Sequence, residues 1–241
     1  MKRLLMACAV AALASGCSPA EEAQKNPAQA TAPAVAEGPA APAKTEAPSG
    51  DYTLDKAHST IVFRVNHIGF STYVGQFGGF DGRLKLDTAD PTKSSVEATI
   101  DTKSLLIPAP PAGFVDTLLS DKWLSAAAFP TMTFRSTKVE LTGANTARIT
   151  GDFTLRGATH PVVLEATFNG GYAGHPYDPN ARIGFSARGS LKRTLFGVSE
   201  GVPPPGSTMG VGDDVTFEIE TEWNGPPLKD AAAPPATEAA P

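Results

Sequence analysis

The chain is poor in the residues on which most catalysis and metal binding depend. Of its 241 residues only Cys8 and Cys17 are cysteine, which leaves no disulfide framework to staple a fold. No run of Lys and Arg occurs, and 20 basic against 25 acidic residues give a formal net charge of −5. Nucleic acid, which calls for a basic patch, is therefore not an expected partner. HExxH, CxxC and any cluster of His and carboxylates at metal-ligand spacing are missing, so no metal is expected. There is no GxSxG nucleophile elbow either, and no spacing singles out two carboxylates for a glycosidase pair. No apolar run reaches the roughly 20 residues of a membrane-spanning helix. Hydrolase chemistry finds little support in the residues themselves.

What is present begins at the N-terminus. Lys2 and Arg3 precede the short apolar run Leu4–Leu13, which ends in Ala14-Ser15-Gly16-Cys17. That is the layout of a secretory signal. Its end resembles a bacterial lipobox, cut before a cysteine that becomes lipidated, with Ala14 standing where Leu, Val or Ile is usual. The competing reading is an ordinary signal cut nearby, for instance after Ala14. The lipobox is preferred, since Cys17 would otherwise be the sole thiol of the mature chain. Residues 1–16 are then a signal peptide, and their loss removes two cations and no acid, taking −5 to −7. Ser18 follows the cysteine where Asp would signal inner-membrane retention, so the expected location is the periplasmic side of the envelope, as an outer-membrane lipoprotein. The alternative is a soluble periplasmic protein.

Residues 17–50 are rich in Ala and Pro and contain no aromatic side chain up to Ser49. Such a segment cannot bury enough apolar surface to offset its ordering entropy, and it reads as a disordered tether. Residues 225–241 have the same character and read as a disordered tail. One domain remains, 51–224, and it alternates with period 2 almost throughout. Thr146–Arg156 places Ala147, Ile149, Gly151, Phe153 and Leu155 on one face. Val162, Leu164, Ala166 and Phe168 follow on the next run, after a turn assigned to Gly157–Pro161. With Thr60–Asn66, Thr72–Leu86, Ser94–Lys103, Thr131–Leu141, Ala181–Leu195 and Asp214–Trp223, eight strands are expected. Between the third and fourth, Val115, Leu118, Leu119, Trp123 and Ala127 recur at helical spacing, predicting one or two short helices. Eight mainly antiparallel strands close into a barrel or stack as two sheets. A barrel of that size is filled by side chains or holds one small ligand, and the pattern alone leaves both open.

Four histidines are available. His160 and His175 fall in turn or loop sequence and read as solvated. His67 shares the parity of Ile61, Phe63 and Val65, so it is either a core histidine bonded to backbone or a polar group at a cavity mouth that orients a ligand head. Arg193 sits among aliphatic neighbours, on the surface or partly buried beside a carboxylate. The Gly- and Pro-rich segment Gly197–Asp214 reads as a long flexible loop that could act as a lid.

The domain also resembles a known family. Tyr52-Thr-Leu-Asp-Lys-Ala-His58-Ser59, Ile61-Val-Phe63-Arg-Val65-Asn-His67, Val74-Gly75-Gln-Phe77 and Phe80-Asp81-Gly82 are similar to the opening signature of the YceI-like proteins. The similarity continues through Ile100-Asp101-Thr102, Phe129–Phe134, Gly151–Gly157, Arg193 with Phe196-Gly197, and Val211–Val215. The resemblance implies an all-β, eight-stranded antiparallel lipocalin-like barrel with an elongated apolar cavity. It also implies export and binding of an isoprenoid or similar long-chain amphiphile, with no catalytic residue. Around Leu105–Trp123 the chain departs from the family, with Thr117 where a histidine is typical. Ligand identity is the property this departure touches.

The reading taken forward, which also draws on the family resemblance, is an exported, membrane-anchored lipid-binding protein that holds a long apolar chain inside the barrel. It is of a protein that is not an enzyme, with no catalytic residue and no cofactor. The residues expected to line the cavity are Ile61, Phe63, Val65, His67, Phe77, Ile149, Phe153, Leu164, Phe168 and Phe185, with Cys17 as the lipidation site. Expected partners are the lipid, the membrane through Cys17, and a second copy of the chain as a homodimer. The competing readings are an envelope interaction module with a packed barrel and no ligand, and an enzyme acting on lipid head groups.

Overall fold

The computed structural model describes residues 41–228. The signal peptide, Cys17, residues 17–40 of the expected tether and 229–241 of the expected tail lie outside the described residues. Ten hydrogen-bonded strand segments are present: β1 (Gly50–His67), β2 (Ser71–Phe77), β3 (Phe80–Leu86), β4 (Ser95–Asp101), β5 (Leu105–Leu106), β6 (Thr131–Leu141), β7 (Thr146–Leu155), β8 (Ala158–Tyr172), β9 (Asn180–Lys192) and β10 (Val211–Pro227). One α-helix, α1 (Phe114–Leu119), lies between β5 and β6.

The ten segments make eight strands of one antiparallel meander. β1 pairs with β2 along its second half and with β3 at its start. β4 pairs with β3, and β5 pairs with β2. The second and third strands are thus each broken in two, at the same level. Gly78 and Gly79 mark one break and a single 3-10 turn, Thr102–Ser104, marks the other. Two backbone bonds bridge the gap, Gly78 N–H to Ser104 O (3.0 Å) and Asp101 N–H to Gly79 O (2.8 Å). β4 then pairs β6, and β6 to β10 follow in order. β10 returns to β1 from Thr53↔Asn224 to His67↔Val211 and closes the barrel. Closure removes the edges that an open sheet would expose.

Three local features differ from the sequence expectation. β1 begins ten residues before Thr60, because a bulge at Asp55–Thr60 resets its parity. The bulge is held by Asp55, whose carboxylate accepts from Ala57 N–H and bonds the His58 Nδ1, both at 3.1 Å, and whose carbonyl accepts from Ser59 Oγ (2.7 Å). The β7–β8 turn is Arg156-Gly157 alone, with φ of 52° and 75°, the pair of positive values that a two-residue type I′ hairpin needs. Pro161 falls inside β8 rather than in a turn; β9 pairs with β8 only from Leu164 onward, so the missing N–H disturbs no bond on that side. Finally, the domain is longer than 51–224. Ala47 is buried against Tyr52 and Trp223, Ala43 N–H bonds Ala144 O, and β10 runs on to Pro227. Residues 41–50 and 225–228 belong to the folded barrel, because short apolar side chains and backbone bonds suffice at positions already next to a core.

Inner side chains form two buried clusters. One, around Tyr52, Leu54, Leu84, Leu86, Ile183 and Trp223, lies near the end where β1 begins. The other, around Ile61, Ile100, Met132, Leu155, Leu164 and Phe196, lies toward the opposite end.

Candidate functional site

The barrel interior is not filled. A cavity of about 500 Å³ runs along it, lined by inward residues of β1 to β10 and by α1. That volume is within the range of small-ligand sites, which are concave and mostly apolar. Ile61, Phe63, Val65 and His67 of β1 border it, as do Phe77 of β2, Ile149 and Phe153 of β7, Leu164 and Phe168 of β8, and Phe185 of β9. The cavity therefore borders all ten positions expected to line it. It also has lining residues that parity did not single out, among them Tyr73, Phe114, Leu118, Trp123, Phe134 and Phe217.

Small residues create the space, and glycines decide where the aromatic rings go. Ala147, Ala166 and Ala187 are side by side in register on β7, β8 and β9 and all face the cavity. Gly75 lies opposite Phe63, and Gly189 opposite Phe217. A Cβ at Gly189 would come within 2.6 Å of the Phe217 ring, and one at Gly75 would run into the Phe63 ring. Each ring thus lies flat over a neighbouring glycine, against the wall instead of across the lumen. Phe134 covers Gly151 in the same way. Ring–glycine pairing is a cross-strand property, so single-strand periodicity cannot show it.

The two ends differ. Where β1 begins, Pro42, Ala43 and Thr45 cross the opening, and Thr88, Ser94, Asn145 and Thr146 add small polar groups. At the other end the lining comprises His67, Tyr73, Phe114, Trp123, Val198 and Val211. His67 is exposed there, with its ring 6.2 Å from Tyr73. It is not a core histidine. His175 is exposed and His160 is half-buried, edge-on to Phe196 at 5.2 Å; neither borders the cavity.

Arg193 builds this second end. It is 5% exposed, and its partner is neither solvent nor a carboxylate. The guanidinium donates to the carbonyls of Gly212, Val198, Glu200 and Val211 at 2.8–2.9 Å and lies 5.2 Å over the Trp123 ring. Burial lowers its pKa below the ordinary value, while the four carbonyls satisfy the charge. Asp213 accepts from Thr194 N–H and Oγ at 2.9 and 3.0 Å. The segment 197–214 is therefore latched to the barrel, which corrects the flexible-lid expectation. The strand expected to run through Leu195 stops at Lys192, because the chain turns into a 3-10 helix at Arg193–Phe196 to make this latch.

A second polar constellation sits on the outside. Asp55, His58 and Glu222 offer ligand atoms close together, but Arg182 is already paired with Asp55 and, at 2.7 Å, with Asp178. A guanidinium thus supplies the positive charge that this cluster would otherwise draw from a cation. The His58 hydrogen bond and Arg182 pull the Asp55 carboxyl down to about 2.

Comparison with known proteins agrees with the geometry. A family model described as the YceI-like domain matches residues 52–223. A UPF0312 protein of Pseudomonas syringae pv. tomato is 36% identical over 190 residues, covering 77% of this chain and 94% of the relative. The crystal structure of the Campylobacter jejuni YCEI protein aligns with a TM-score of 0.57 at 30% identity, covering 73% of this chain and 98% of that one. A polyisoprenoid binding domain from Saccharophagus degradans shares the fold at a TM-score of 0.53 and 12% identity, over 73% of this chain and 98% of its own.

Proposed function

The chain belongs to the YceI-like family, and from that premise we propose that it binds one long apolar lipid, of isoprenoid type, in the barrel. The observation that carries this reading is the cavity itself: about 500 Å³ walled mainly by aliphatic and aromatic side chains, with polar groups gathered toward its ends. A hollow interior of this kind argues against the alternative of a solidly packed interaction module. Burying a hydrocarbon chain in such a space gains about 0.8 kcal/mol per CH₂, less the cost of ordering it. Affinity then comes from chain length more than from polar contacts. Binding by the Saccharophagus degradans domain of a polyisoprenoid, as its name states, supports the ligand class by analogy of fold.

The wall is suited to holding a chain, not to reacting with it. Among the described residues, the titratable side chains bordering the cavity are His67, Tyr73, Asp81, Asp87 and Arg193. Arg193 is consumed by four carbonyls, and Asp81 is paired with Lys56 at 2.7 Å. His67 is placed to meet a ligand head at the second end. Export through residues 1–16 and anchoring by lipidated Cys17 at the outer membrane complete the proposal.

The test is a titration of delipidated protein with prenyl alcohols of increasing length. Affinity should rise with each added unit and level off once the lumen is full. An affinity independent of chain length would show that the cavity is not the site.

A further inference from the structure

We infer that the barrel end formed by residues 65–80, 104–115 and 201–212 docks on the hydrocarbon surface of a lipid bilayer; the inference rests on the lipid-binding reading. These three segments meet in space. Ile68 N–H bonds Gly210 O (2.7 Å), Gly69 abuts Thr208, and the Tyr73 and Phe114 rings lie 5.7 Å apart. Together they hold 40 residues without one Asp, Glu, Lys or Arg, in a chain that is 19% charged. Phe70 (82%) and Met209 (67%) are exposed at the tip, and Val74 and Leu106 are exposed further along the outer wall, Val74 opposite Arg64 and Leu106 opposite Gln76. Phe70 and Met209 stand on adjacent turns that the Ile68–Gly210 bond ties together.

The opposite end is different in kind. Its turns carry Asp87, Asp90, Lys93 and Asp178, and the segment leading into β1 carries Lys44 and Glu46. Tyr177 is exposed there, but alone and next to Asp178. Placing that end in a lipid interface would desolvate these charges, whereas the three segments carry none of their own; the nearest, Arg64, Asp81, Lys103, Asp116, Glu200 and Asp213, stand just beyond the segment ends.

Continuity with the cavity identifies the occupant. His67 and Tyr73, Ile107 and Phe114, and Val211 line the lumen and belong to these same three segments. The apolar wall therefore passes from lumen to rim without a charged ring between them. A lipid with negligible water solubility can leave such a mouth directly into acyl chains. An interfacial surface of this sort sinks roughly 5–10 Å, to the headgroup–acyl boundary. Geometry permits it even with an anchor at Cys17. Residues 18–40 can span at most ~80 Å, whereas the 18 residues of β1 cover no more than about 60 Å.

The test uses the full chain in a Cys8→Ser/Cys17→Ser background, with one introduced cysteine carrying a fluorescent label. Phe70→Cys and Met209→Cys report the rim, and Ala89→Cys, in the exposed β3–β4 turn, reports the far end. Quenching by aqueous iodide is measured with and without phosphatidylcholine vesicles. Docking predicts that quenching drops several-fold at 70 and 209 and stays unchanged at 89, with Phe70→Asp in the Met209→Cys chain abolishing the drop. Equal protection at all three positions, no protection at any, or protection only on anionic vesicles that salt removes would overturn the inference. Bound lipid is measured in the same preparations by native mass spectrometry. Lipid in the barrel without rim protection sinks the docking surface alone; an empty barrel with rim protection sinks the lipid-binding reading alone.

Discussion

The row of alanines on β7, β8 and β9 offers the sharpest perturbation of the interior. Ala187 borders the cavity and is half-buried, whereas Ala166 beside it is buried at 7% exposure. Ala187→Phe places a six-carbon ring in the lumen with no backbone change. The ring displaces about one five-carbon isoprene unit, worth ~4 kcal/mol at about 0.8 kcal/mol per carbon, or nearly three factors of ten in affinity. Rearrangement of a flexible tail recovers part of that. Retained lipid should therefore be weaker by roughly a hundredfold or more, or shorter by about one unit. The empty protein should keep or raise its stability, because the ring fills a void. Native mass spectrometry of the bound species and urea unfolding of the delipidated protein read the two quantities. Unchanged lipid binding with stability lowered by about 1–3 kcal/mol, the signature of overpacking, would refute the hollow-barrel account.

Three further substitutions probe what holds the cavity open. Gly151→Ala would bring a Cβ within 2.6 Å of the Arg135 carbonyl and into the Phe134 ring, so it should cost about 1–3 kcal/mol in urea unfolding. Arg193→Met leaves four carbonyls of the 198–212 segment without their donor; a loss of roughly 3 kcal/mol or more and fast hydrogen exchange in that segment are expected, with Arg193→Lys recovering little because one ammonium cannot span four acceptors. Asp55 titrates at about 2, below its unfolded value, so it stabilises the fold above about pH 4 and loses that contribution as pH falls toward 2. Asp55→Asn should remove on the order of 1–2 kcal/mol at neutral pH and flatten acid unfolding between pH 4 and 2, as followed by circular dichroism.

The strands were legible because alternation is a local property. β6, β7 and the inner face of β8 stand where period 2 put them, and all ten inward candidates border one lumen. What escaped depends on partners distant in sequence. The β1 bulge interrupts parity because Ser59 Oγ donates to the Asp55 carbonyl and accepts from Glu222 N–H, 163 residues away. The breaks in the second and third strands coincide only because the two are paired. Arg193 read as a strand residue, since nothing local announces that four carbonyls from 198–212 converge on it. The volume itself was not legible. It follows from ring-on-glycine pairs such as Phe217 on Gly189, and from three alanines that become neighbours only after closure. Residues 41–49 read as tether because Ala47 and Ala43 are unremarkable until Trp223 and Ala144 are beside them.

The central claim is that the lumen is a lipid site. Native mass spectrometry of the full chain, purified gently from the envelope of its own host, tests it most directly. The account predicts one long-chain isoprenoid-type lipid per barrel, released on denaturation and displaced in the Ala187→Phe chain. Protein that is uniformly empty, and that takes up no long-chain lipid when offered it, would contradict the account.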